Sequence, residues 1–90
     1  MAQPTSPDTG YKVRFRSGRF QDMKYPETNT YKQVRVETTD VFIVRRQYVW
    51  HGCLMVALES VTHEGSPLIE SVPRDVVTRL LPHHLAELGQ

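Results

Sequence analysis

The side chains able to do chemistry are few and scattered. His51 and Cys53 stand two residues apart, the spacing that places two side chains on one face of a strand, and a thiol beside an imidazole is the start of a nucleophile–base pair. Gly52 between them breaks that geometry. Cys53 also opens an apolar run, residues 53–58, in which a free thiol is expected to act as a small hydrophobe. No third group is in place to orient the base. The histidines, His51, His63, His83 and His84, lack the spacing of a tetrahedral metal site, and the adjacent pair points in different directions on any regular element. His51 and His63 are expected in turns, with exposed imidazoles. Glu59, Glu64 and Glu70 bracket one expected hairpin and read as solvated carboxylates rather than an acid–base pair. Gly18, Gly52 and Gly65 are isolated, so no glycine-rich loop cradles a phosphate. These absences point away from an enzyme, a metal and a cofactor.

Binding chemistry is better represented. Lys12, Arg14 and Arg16 fall on one face of an alternating segment, Arg19 extends the row, and Lys32 with the pair Arg45 and Arg46 is available from later segments. Such a row tracks phosphates, and Tyr25 and Tyr31, with Phe20 and Tyr48 nearby in sequence, are rings on which bases stack. The same residues also suit an ordinary solvated sheet face, where Lys and Arg guard edges against aggregation. The aromatic motif of an RNA-recognition sheet is absent. Trp50 sits at the end of a β-rich segment: turned inward it plugs a barrel end, which is the expectation, and turned outward it anchors a protein partner together with Tyr48.

The elements that must carry these groups read as strands. Tyr11, Val13 and Phe15 alternate with Lys12, Arg14 and Arg16, the pattern of a half-buried strand, and Ser17-Gly18 supplies a turn. Residues 21–29 hold Pro26 and few apolar groups and read as a surface loop. Residues 30–38 form a second strand, with Lys32, Val34 and Val36 on one face and Tyr31, Gln33 and Arg35 on the other. After a turn at Thr39-Asp40, residues 41–50 make a central strand. His51-Gly52 is a tight turn with positive φ, the bend of a hairpin, although a bulge at Gly52 in one long strand is the alternative. Residues 53–61 return, residues 63–66 turn again, and residues 67–72 form a fifth strand. Pro73 to Asp75 opens one helical turn, after which Val76, Val77, Leu80 and Leu81 either finish a short helix or, the preferred reading, form a short closing strand that Pro82 ends.

Strands at intervals of about 8 to 12 residues predict an all-β fold. The expectation is a five- to six-stranded antiparallel barrel or strongly bent sheet, resembling an SH3-like or Sm-like barrel, with at most one or two short helical turns near the C-terminus. The domain plan is a disordered arm over residues 1–10, one barrel-like domain over 11–82, and a tail or helical turn over 83–90. Ninety residues suffice for one core only. With 39% apolar and 23% charged residues the chain is neither disordered nor fibrous in type. The six-residue apolar run is far short of the roughly 20 residues of a membrane-spanning helix, and the N-terminus lacks a secretory pattern, so cytoplasmic residence is expected.

Residues 1–47 carry nine Lys/Arg against five Asp/Glu, and residues 48–90 carry two against five, about +4 and −3. The near-neutral total favours a non-enzymatic protein-interaction module, of inhibitor or adaptor type, over a dedicated nucleic-acid binder. The alternative is a nucleic-acid-binding or transcription-associated small barrel using the basic face. Residues 41–44 and 53–58 are apolar on both faces, which asks for a cover, either the C-terminal turn around Leu85 and Leu88 or a second subunit in a homodimer or higher oligomer.

Overall fold

The computed structural model describes residues 10–80; of the arm expected over residues 1–10 only Gly10 is described, and Pro82 and the tail at 83–90 lie outside the described residues. Seven strands follow one another: β1 (Lys12–Phe15), β2 (Arg19–Tyr25), β3 (Thr30–Val36), β4 (Phe42–Trp50), β5 (Cys53–Ser60), β6 (Leu68–Pro73) and β7 (Val77–Arg79). A single 3-10 turn, Arg74–Val76, separates the last two, as the proline-led turn and closing strand predict. They form one antiparallel sheet in the order β3-β2-β6-β5-β4-β1-β7, curled into a half-barrel.

Every strand sends at least one side chain into the concave side. Val13, Phe15, Met23, Val36, Phe42, Val44, Val56, Leu58, Ile69, Val72 and Val77 form the core, and Phe15 meets Phe42 edge to face at 5.4 Å. Each such burial stabilises by about 1.5–3 kcal/mol relative to exposure, so the alternation in β1 is energetically fixed. A one-residue slip of β1 would put Arg14 where Phe15 now sits.

The chain differs from expectation between residues 19 and 29, and the strand count is seven rather than five or six. The polar segment read as a loop over residues 21–29 is largely β2, paired along its whole length with β3 from Arg19↔Val36 to Tyr25↔Thr30. Residues 26–29 make the connecting turn, with Asn29 at φ 55°. Only Met23 of β2 is fully buried. The ladder satisfies the backbone whatever the side chains are, and that pairing partner is invisible to a composition argument. β3 ends at Val36, two residues early, because Asp40 folds back: its carboxylate accepts from the Glu37 N–H at 2.8 Å.

Candidate functional site

The β4–β5 hairpin outgrows its neighbours. Its ladder runs from Phe42↔Ser60 to Trp50↔Cys53, and the turn takes His51 at φ 51° with Gly52 at φ 76°, the double positive φ of a two-residue hairpin loop. β1 follows β4 only as far as Val44, whose carbonyl accepts from Gly10 N–H, and β6 joins β5 only from Met55. Among the described residues nothing pairs with residues 46–50 on the side away from β5.

Exposure follows from this overhang. Val49 is 69% exposed, Trp50 59% and Leu54 42%, and Cys53 is exposed beside them. Trp50 is therefore not the expected core plug, and Cys53 is not a buried hydrophobe. Both lie past the point where the core ends, so apolar composition alone places them wrongly. The Trp50 ring is held edge-on to the His51 imidazole, centroids 4.1 Å apart. Tyr48 lies on the same face as Trp50, half-buried, its hydroxyl donating to Ser71 Oγ at 2.6 Å and its ring under the Arg46 guanidinium at 4.6 Å.

Behind Tyr48 the outer face of the sheet is hollowed. The register passes from Val44↔Leu58 to Arg46↔Ala57, so Arg45 is an extra residue in β4. On the other side of β5 it passes from Leu58↔Ile69 to Val56↔Val72, so Glu70 and Ser71 together face Ala57. Two bulges thus flank one small side chain, and each delivers two polar residues to the outer face. Ala57 floors an open groove of about 770 Å³, with Arg45, Arg46 and Tyr48 along one wall and Leu68, Glu70 and Ser71 along the other. One pair of its charges is matched in place: Arg45 Nε lies 3.0 Å from Glu59 Oε1. The Tyr31 hydroxyl donates to Glu70 Oε2 at 3.0 Å. That bond, first, and then desolvation and the carboxylate charge hold the Tyr31 phenol above its ordinary value of 10.0. Consecutive polar residues inside otherwise alternating strands, Arg45-Arg46 and Glu70-Ser71, are the sequence signal of these bulges.

The basic row is divided by the fold. Lys12 and Arg14 lie on the outer face of β1, opposite Ile43 and Thr78. Arg45 and Arg46 share that face on β4. Arg16 instead donates from Nε to the Asp75 carbonyl at 2.8 Å, tying the 3-10 turn to β1. Arg19 and Lys32 belong to the concave side, over the rings of Phe15 at 5.8 Å and Tyr25 at 5.2 Å. Tyr25 packs on the core, while Tyr31 is exposed on the outer face with Lys24 5.9 Å from its ring centre. The aromatic and basic residues that interleave in sequence thus pair largely with each other.

One further constellation brings a serine, a histidine and an aspartate together. Ser60 Oγ accepts from the His63 backbone N–H and lies 2.9 Å from His63 Nδ1, and His63 Nε2 is 3.7 Å from Asp40 Oδ2. His63 is half-buried, its ring tilted towards that of Phe42 with centroids 6.1 Å apart, rather than exposed. Ser60 is only 2% exposed and its oxygen caps the turn, so the set locks the β5–β6 connection to the Asp40 turn. Thr62 completes the lock, donating to Asp40 Oδ1 and accepting from Val41 N–H. Among the described residues no three His, Cys, Asp or Glu side chains converge as metal ligands, and no helix is long and apolar enough to cross a membrane. No protein-family model, curated protein or solved structure matches the chain.

Proposed function

We propose that this chain is a small non-enzymatic protein-interaction module, of inhibitor or adaptor type, that engages a cytoplasmic protein through the end of the β4–β5 hairpin. Trp50 is the anchor and Tyr48 the partly desolvated support behind it. The observation that carries this reading is the exposure of Trp50, Val49 and Leu54 on a hairpin whose ladder continues to its last pair. Such a rigid apolar projection loses little conformational freedom on docking, and aromatic anchors of this kind dominate interface energies. Under the same reading the half-barrel is an SH3-like or Sm-like barrel left open at one side. The alternative, a nucleic-acid-binding barrel, draws support from Lys12, Arg14, Arg45 and Arg46 sharing one face.

The test uses the lone thiol. A photo-crosslinker attached to Cys53, next to Trp50, is used to recover a partner from cell extract, and its affinity is then measured. Trp50→Ala should weaken binding at least tenfold, about 1.4 kcal/mol, with little dependence on salt. Lys12→Glu/Arg14→Glu should leave it unchanged. Indifference to Trp50→Ala would overturn the reading. So would tight oligonucleotide binding that falls steeply with salt and is lost in Lys12→Glu/Arg14→Glu, which would establish the alternative.

A further inference from the structure

The edge of β4 beyond Val44, which no described residue pairs, has a chemistry of its own. In a two-residue hairpin the closing pair, here Trp50 and Cys53, is hydrogen-bonded, and bonding alternates from there along the ladder. Trp50, Tyr48 and Arg46 therefore turn their backbone groups to β5. Gln47 and Val49 turn theirs outward, to the side where no described strand lies. The long edge strand β3 differs in being lined by charge, with Lys32 and Arg35 along it, the usual guard against strand addition. Along β4 from Gln47 to the turn no side chain is charged, and the last two residues before it are Val49 and Trp50.

We infer that the occupant of this edge is a second copy of the same chain, with the two β4 strands pairing antiparallel about a two-fold axis at Tyr48. Self-complementarity is the argument. With Tyr48 on the axis, Gln47 of one protomer faces Val49 of its partner, twice, and each such pair exchanges two hydrogen bonds between the outward backbone groups. The same register sets Arg46 against Trp50 of the partner on the outer face. The guanidinium already over Tyr48 then gains a second ring, a stronger π donor than the first. Val49, the most exposed of the large apolar side chains, becomes covered by the facing strand. Registers centred on Gln47 or Val49 shorten the ladder or run it into the bulge or the turn. The inference deepens the interaction reading of the hairpin and rests on it.

Five paired residues fall short of the about 1,200–2,000 Å² of a standard interface, so the dimer is weak. Sedimentation equilibrium of the full chain should show its mass rising from one chain at about 10 µM towards two at about 1 mM. Over the same range the Gln47 and Val49 amides should become protected from hydrogen exchange. A spin label on Cys53 should report an inter-protomer distance corresponding to about 20 Å between Cα atoms, from about 3.4 Å per residue along the strands and about 4.8 Å between them. Val49→Pro, which removes an outward N–H but none directed at β5, should abolish all three signals while the circular dichroism of the sheet is retained. A chain that stays monomeric throughout overturns the inference. So does protection of both amides in the monomer, which would assign the edge to another part of the same chain. Either result leaves the interaction reading intact if Trp50→Ala still abolishes partner capture; a Trp50 that resists collisional quenching in the monomer sinks that reading as well.

Discussion

The β2–β3 and β4–β5 hairpins are built alike, each a long antiparallel ladder closed by a turn that uses positive φ, yet their outer rings meet water differently. Phe20 and Tyr31 on the first are about as exposed as Trp50 on the second, at 60%, 57% and 59%. Arg35 lies over Phe20 and Lys24 beside Tyr31, whereas among the described residues Trp50 meets only the edge of the His51 ring. The first hairpin carries a cation beside each of these rings, whereas the second has Arg46 over Tyr48 but presents Val49, Trp50 and Leu54 towards its tip with no cation over them among the described residues. What separates the two hairpins is therefore not exposure itself but the cover over the exposed rings.

The contrast breaks most visibly at the base of β4. Phe42→Ala removes a fully buried ring from the core under the hairpin and should cost about 3–5 kcal/mol in denaturant unfolding. A cost below about 1 kcal/mol would mean that the hairpin is not rooted in the core. Ser60→Ala deletes the buried oxygen that accepts the His63 N–H, with an expected cost of about 1–3 kcal/mol; an unchanged midpoint would deny the Asp40–His63–Ser60 lock its structural role.

Gly52→Ala puts a side chain on a residue at φ 76°, where there is space but strained backbone, and should cost about 1–2 kcal/mol. Wild-type stability in that variant would show that the turn relaxes and the tip is not rigid. Trp50→Ala, on the same strand as Phe42, should shift stability by less than about 0.5 kcal/mol while removing partner binding. A large loss of stability would return Trp50 to the core.

The smallest effect concerns the covered hairpin. The hydrogen bond to Glu70 favours the protonated Tyr31 phenol, so its folded value lies above the unfolded one. The linked stabilisation is complete below the ordinary phenol value and is lost as pH rises through the raised one. Glu70→Gln should bring the Tyr31 midpoint down towards its ordinary range in an NMR titration of the ring. An unmoved midpoint would remove Glu70 as the cause.

Much of the fold is written locally. The alternation around Val13 and Phe15, the His51-Gly52 turn, the turn at residues 63–66 and the helical turn after Pro73 each follow from side-chain period or backbone freedom within a few residues, and each is found in place. Tyr48 and Trp50 were legible as a candidate pair because residues two apart share a strand face. Whether that face is covered was not legible. It depends on β1 leaving β4 at Val44 and on β6 reaching β5 only at Met55, and these are lengths of other strands. The same holds for β2, whose polar side chains conceal a strand that its partner's backbone creates, and for the basic row, which a curled sheet distributes over two faces. Period and turn chemistry belong to single segments and were determined by the sequence itself; exposure, grooves and free edges are relations between segments, and only tertiary packing decided them.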